Sequence, residues 1–321
     1  MGKKITRIIF MGTPDFSVPA LKSLAADPDF EVCLAVTQPD RPKGRGKKLT
    51  APPVKRAAQT LNIDVYQPEK VNAPEAKAKF SALTPDFYAV AAFGQILSPE
   101  ILDIPAKYPI NIHASLLPKY RGAAPIQAAI MNRDAHTGIT TMVMDRKMDA
   151  GDILLTDPTF ISASDTAQDL HDRLSVMGAR LIVKTIRGIL DEGLMPRPQD
   201  HSKATYAKLL KKRDGKIDWS PENKSVIAHI NAMTPWPGAY CDLHGKRLKI
   251  LKAVASDLSA DHKPDVIKPG VIFKCDPNGI HVACGKKSII IQELRGASGK
   301  RLFADAYLRG NPIASPAQFD D

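Results

Sequence analysis

The chain has 321 residues, 44% apolar and 25% charged, with 45 Lys and Arg against 34 Asp and Glu, for a formal charge of +11. That length suits two domains and lets each bury a sizeable core without covalent staples. Four scattered cysteines, Cys33, Cys241, Cys275 and Cys284, none two or three residues from another, suggest no zinc ribbon or redox pair and fit a reducing compartment.

In chain order, Ile5–Met11 is an apolar run stopped by Gly12-Thr13-Pro14-Asp15, which predicts a first strand. A helix follows through Pro19, Leu21 and Leu24. Glu31–Thr37 reads as a second strand, and Pro53–Leu61 as a helix opened by proline. Phe87–Phe93 is a third strand and Pro109–Ile112 a shorter one. Strands alternating with helices predict an α/β unit: a Rossmann-like, mostly parallel sheet with helices on both faces. Gly44-x-Gly46 lacks the third glycine of a dinucleotide fingerprint and there is no P-loop, so no nucleotide cofactor is expected.

Leu170, Leu174, Met177, Leu181, Ile182, Ile186 and Ile189 recur at helical spacing and predict one long amphipathic helix. The stretch 192–218, with Gly193, Pro196, Pro198 and Gly215 among many charges, reads as a linker. Beyond it, Pro221–Met233 predicts a helix. The short runs Leu248–Val254, Gly270–Cys275, Gly279–Cys284 and Ser288–Leu294 predict a small antiparallel β-barrel. The expected division is therefore a first domain over 1–191, a linker over 192–218 and a second domain over 219–321. Residues 201–321 carry 20 basic and 12 acidic residues, an excess of +8, which points to a polyanionic partner. The longest apolar runs are too short to span a bilayer, and Ile8–Met11 is too short for a secretory signal, so a cytoplasmic chain without membrane contact is expected. No obligate protein partner is suggested.

Three stretches can carry chemistry. Asn111 and His113 end a predicted strand on one side of it, where open parallel sheets bind ligands. An imidazole passes protons near neutral pH and a carboxamide can donate to a developing oxyanion. The same pair also suits a hydrogen-bonded cap on a strand. In Met144–Asp152 three carboxylates, Asp145, Asp149 and Asp152, share one turn, and an Asp there could orient the histidine and stabilise its cation, while Asp and Gly there also suit a plain turn. In Arg41–Lys48, the basic residues Arg41, Lys43, Arg45, Lys47 and Lys48 surround two glycines and suit a phosphate backbone, or simply a solvated charged loop. The eight histidines show no i, i+4 pair and no cluster with cysteine at zinc spacing, so no metal is expected.

Taken together, Asn111–Gly122 resembles the His-x-Ser-Leu-Leu-Pro signature of the formyltetrahydrofolate-dependent formyltransferases. The likeness runs on through Gly12–Phe16, Thr37–Pro42, Gly44–Lys48, Arg121–Gln127 and Pro235-Trp236-Pro237, and so covers almost the whole chain. The basic loop and the C-terminal part narrow it to the branch that acts on tRNA. The resemblance implies a Rossmann-like catalytic domain and a C-terminal barrel of the oligonucleotide/oligosaccharide-binding (OB) kind. It implies that Asn111, His113 and Asp149 are catalytic. It places Ser115, Leu116, Leu117 and Pro118 beside the folate, with Phe93, Gly94, Gln95, Ile96 and Leu97 shaping the pterin pocket. Arg45 and its basic neighbours would meet the tRNA acceptor arm. The implied reaction moves the formyl group of 10-formyltetrahydrofolate to the α-amine of methionyl-initiator-tRNA, without a metal. One departure stands out: Lys147 occupies a position where the family usually has glycine. A positive φ there would strain the lysine.

Overall fold

The computed structural model describes residues 4–43, 46, 48–256, 268–296 and 299–320. Contacts within the chain define two units. The first comprises the chain to Pro125, Thr137–Thr159 and His171–Ala207. The second comprises Ile126–His136, Phe160–Leu170 and the chain from Lys208 on.

The elements begin with β1 (Thr6–Gly12), α1 (Val18–Ala25), β2 (Phe30–Val36), β3 (Arg41–Lys43), β4 (Lys48–Thr50), α2 (Pro53–Thr60) and β5 (Val65–Tyr66). Then come α3 (Pro74–Ala82), β6 (Phe87–Ala91), α4 (Pro99–Leu102), β7 (Tyr108–His113), β8 (Arg121–Gly122), α5 (Pro125–Met131), β9 (His136–Val143), β10 (Ile153–Phe160), α6 (Ala167–Asp191) and β11 (Tyr206–Ala207). Proline at the first turn of α2 and of α3 sets φ and gives up an amide that has no helical partner there.

The large sheet runs β10-β9-β7-β6-β1-β2-β5. Strands β7, β6, β1, β2 and β5 are mutually parallel, and β9 is antiparallel to β7. Every residue of β6 is buried, as expected of a strand covered on both faces. On one face, Ile9 and Met11 of β1, Leu34 and Val36 of β2, and Tyr88 and Val90 of β6 pack with Ala76 and Phe80 of α3. On the other face Ile112 meets α6, whose Gly178 is so close that a Cβ would lie 2.8 Å from the Ile112 side chain. Alternation then turns Asn111 and His113 away from α6.

The segment expected as a linker is divided between the units. Its first part is built into the first unit: Arg197 and Ile153 exchange two backbone hydrogen bonds, and β11 pairs in parallel with β8. Its last part belongs to the second unit, where the Ile217 amide donates to the Tyr240 carbonyl. Gly and Pro spacing carried no sign of where this segment is anchored.

The second unit is antiparallel where the first is mostly parallel. It contains α7 (Asn223–Met233), β12 (Ala239–Leu243), β13 (Lys246–Ser256), β14 (Val271–Asp276), β15 (Gly279–Ala283), β16 (Ser288–Arg295), β17 (Arg301–Phe303), α8 (Ala304–Gly310) and β18 (Ala317–Gln318). The sheet order is β12-β13-β16-β15-β14-β18, with β17 on β16. Asp320 closes the two edges at one bridge, its amide donating to the Asp242 carbonyl at 2.8 Å. The result is a curled, partly open barrel lined by Leu248, Ile250, Ile272, Ile280, Ile289 and Ile291.

Candidate active site

The C-terminal end of β7 carries both Asn111 and His113, at the switch where the parallel sheet meets the antiparallel strand β9. His113 is 6% exposed and its Nε2 lies 2.9 Å from the Tyr120 carbonyl. A carbonyl only accepts, so Nε2 carries the proton and the tautomer is fixed. The other ring nitrogen, Nδ1, faces the Asp149 carboxylate, Oδ2 at 3.7 Å, within ion-pair reach but beyond a hydrogen bond. Asn111 Nδ2 lies 3.5 Å from Asp149 Oδ1. The firm hold on the carboxylate comes from the Gly122 amide, which donates to Oδ2 at 2.8 Å. Asp149 was expected to hold the imidazole and support its charged form; its carboxylate lies within ion-pair reach of Nδ1, while the hydrogen bond on the ring is the one to the Tyr120 carbonyl.

The departure at Lys147 also resolves. Lys147 does not have positive φ; the left-handed residue in that turn is Asp149 itself, at φ +50°. Tyr120, the other backbone partner, is likewise left-handed at φ +59°. Such conformations persist where surrounding bonds over-determine them. Gly151 shows how tight the packing is, because a Cβ there would collide with the Val143 carbonyl.

Two residues that sequence reasoning missed tie the turn down. The Gln199 amide donates to the carbonyls of Asp149 at 2.9 Å and of Gly151 at 2.6 Å. Its oxygen accepts two bonds from the Arg121 guanidinium, at 3.2 and 2.7 Å. The sequence signal for Arg121 was its place in the Arg121–Gln127 motif. Gln199 sat in a segment with no periodicity and gave none.

Ser115 is fully buried and its hydroxyl donates to the Lys119 carbonyl, while the Leu117 amide donates to Thr140. These bonds shape the turn that brings Tyr120 back to His113. On the neighbouring strand end, Gln95 bonds the Val71 amide and the Pro68 carbonyl, and Ile96 is 74% exposed. A cavity of about 330 Å³ lies beside β7, lined by Pro99, Leu102, Pro109, Val143, Met144 and Asp145, among others. None of the nine residues expected against the folate lines it. Among the described residues no group of three or more His, Cys, Asp or Glu could hold a metal ion. None of their helices is long and apolar enough to cross a membrane. In the basic loop, Arg41–Lys43 and Lys48–Thr50 form an antiparallel ribbon with Arg41 paired to Glu69, and Arg45 and Lys47 lie outside the described residues.

The formyl transferase family model matches residues 4–186, and the model of the formyl transferase C-terminal domain matches 209–312. Methionyl-tRNA formyltransferase of Geobacter sulfurreducens is 48% identical over 305 residues, 95% of this chain and 93% of that protein. The chain belongs to the formyl transferase family, among the methionyl-tRNA formyltransferases. A second family member, from Citrifermentans bemidjiense, is 45% identical over 95% of this chain and 93% of its own. The family fold also appears in the N-formyltransferase of Helicobacter canadensis, solved with folinic acid and dTDP-3-aminofucose. The two match with a TM-score of 0.66 at 18% identity, over 89% of this chain and 98% of that one. HypX from Aquifex aeolicus, solved with tetrahydrofolic acid, matches at 0.61 and 14% identity over 99% of this chain and 51% of its own.

Proposed function

We propose that the chain transfers the formyl group of 10-formyltetrahydrofolate to the α-amine of methionyl-initiator-tRNA, supplying formylmethionyl-tRNA for translation initiation in the cytoplasm. The observation that carries this reading is the meeting of Asn111, His113 and Asp149 at one strand end in a chain of this family. An α-amine titrates near about 7.7–8.0, so an appreciable fraction is neutral and nucleophilic at physiological pH. As its nitrogen bonds the formyl carbon, negative charge grows on the formyl oxygen. Asn111 Nδ2, loosely held at 3.5 Å, is the donor available to meet it. His113 keeps its Nε2 proton on Tyr120, so Nδ1 takes the proton released by the attacking amine and passes it to the departing folate nitrogen. Asp149 stabilises the imidazolium in between. One nitrogen–carbon bond forms, one breaks, and one proton moves, so neither a covalent enzyme intermediate nor a metal is required.

The cavity beside β7 is a candidate place for the donor's ring, because Pro109, which lines it, lies two residues before Asn111 on the same side of the strand. Leu102, Pro109, Val143 and Met144 offer apolar walls to a flat ring, and the Asp103 and Asp145 carboxylates can accept from its amino edge. Its volume of about 330 Å³ falls within the usual range for small-molecule sites. For the tRNA, the excess of +8 over 201–321 and the basic loop with Arg41, Lys43, Arg45, Lys47 and Lys48 are suited to phosphates.

The test is incubation with formyl-labelled donor and, separately, initiator methionyl-tRNA, elongator methionyl-tRNA, or amino sugars. Label should pass to the initiator tRNA first. Transfer to an amino sugar with none to either tRNA would replace this reading with a small-substrate formyltransferase.

A further inference from the structure

We propose that Gln199 and Arg121 are positioning residues that hold Asp149 beside His113, so that part of the site lies in a segment neither family model covers. The inference rests on the formyl-transfer reading for its kinetic test. The matches end at residue 186 and resume at 209, and Gln199 falls between them.

Four observations carry it. First, Gln199 is 5% exposed and its amide is saturated: two N–H bonds go to the Asp149 and Gly151 carbonyls, and two lone pairs accept from Arg121. Turning the amide over would set its oxygen against two carbonyls and its NH2 against a cation, so only one orientation is allowed. Second, Arg121 is 4% exposed, and the partners of its guanidinium here are neutral: the Gln199 oxygen and His201 Nδ1 at 2.9 Å. A buried cation on neutral acceptors is costly to keep unless its geometry is used. Third, the residue after Arg121 supplies the amide that holds the Asp149 carboxylate. The turn is therefore gripped at both ends, its carboxylate by Gly122 and its carbonyls by Gln199, with Arg121 linking the two grips. Fourth, the held residue is left-handed, a conformation that would relax once the carbonyls were released. Residues 205–207 complete the frame. The Tyr120 amide donates to the Thr205 hydroxyl, the Arg121 amide to the Thr205 carbonyl and the Ala123 amide to the Ala207 carbonyl.

The experiment compares wild type, Gln199→Met, Gln199→Ala and Arg121→Lys. Gln199→Met keeps the packing and removes both donors. Each variant should lose roughly 10- to 100-fold in kcat, because a displacement near 1 Å in a reacting site costs about that much. KM for tRNA and for the formyl donor should stay within about twofold. The decisive comparison adds Asp149→Ala: Gln199→Met should cost almost nothing once Asp149 is gone, since both changes remove the same contribution. Wild-type kcat in Gln199→Met overturns the proposal, as does a loss fully multiplicative with Asp149→Ala. Loss of fold in both Gln199 variants also overturns it, by making the residue part of the scaffold. Hydrogen exchange of peptides spanning 145–152 reads the clamp without any reaction and should quicken in Gln199→Met. Unchanged exchange there refutes the clamp even if the wild-type protein formylates no tRNA, an outcome that would refute the functional reading instead.

Discussion

At the scale of single residues, the site works by division of labour among groups that look redundant. His113 has two ring nitrogens and only one is free for chemistry, because Tyr120 holds the other. Asn111 touches Asp149 only at the limit of a hydrogen bond, so its donor can turn to a growing oxyanion at little cost. Asn111→Ala should therefore lower kcat by about 10²–10³ and leave KM for tRNA nearly unchanged, as single oxyanion donors do. Steady-state formylation assays would check it, and an unaltered kcat would remove Asn111 from the chemistry. Strand-end placement alone left Asn111 and His113 open to a plain capping role; the likeness of Asn111–Gly122 to the His-x-Ser-Leu-Leu-Pro signature singled them out. The holds of Tyr120, Arg121 and Gln199 were not legible in the sequence. They come from backbone carbonyls, which no sequence pattern marks, and from a side-chain pair separated by 78 positions.

At the scale of elements, apolar periodicity placed β1, β2, β6 and β7 and the long helix α6 to within a few residues, since burial on both faces demands continuous apolar runs. It undershot at α3, whose nine residues carry a mixed pattern and whose buried positions are chiefly Ala76 and Phe80. Composition alone made 192–218 a linker, whereas its first half is a strap on the site. Truncation after Arg197 should therefore abolish the clamp and lower thermal stability. Truncation after Ala207 should keep both Gln199 and the β8–β11 pairing. Melting curves of the two fragments distinguish the cases, and equal curves would mean that 198–207 contributes nothing. The β3–β4 ribbon invites a second measurement. Lys43→Ala with Lys48→Ala should weaken tRNA binding and flatten its dependence on log salt by about 0.7–0.9 for each phosphate no longer neutralised. Binding titrations over a salt series would read the slope, and an unchanged slope would mark the ribbon as merely solvated.

At the scale of the whole molecule, stability should depend on pH through a histidine of the second unit. His229, on α7, has a buried Nε2 without a hydrogen-bond partner, and burial holds its pKa below the ordinary 6.5. The unfolded chain then binds a proton near pH 6.5 that the folded chain refuses until lower pH. Stability is therefore fully present above about 6.5 and falls as the pH drops through the folded value. Urea midpoints between pH 7 and 5 should decline, and decline less in His229→Gln; parallel declines would assign the effect elsewhere. The wrap of the strap around Asp149 has a consequence in time as well as in space. A ribosome delivers this chain from its first residue, and domains generally fold as they emerge, N-terminal first. The sheet, the strand end bearing Asn111 and His113, and the Asp149 turn are all translated before Gln199. Nascent chains halted with Asp191 just outside the tunnel would thus display a formed sheet with an ungripped turn. The reaction centre matures only once Ala207 has cleared the tunnel, late in the synthesis of a catalyst whose product starts synthesis.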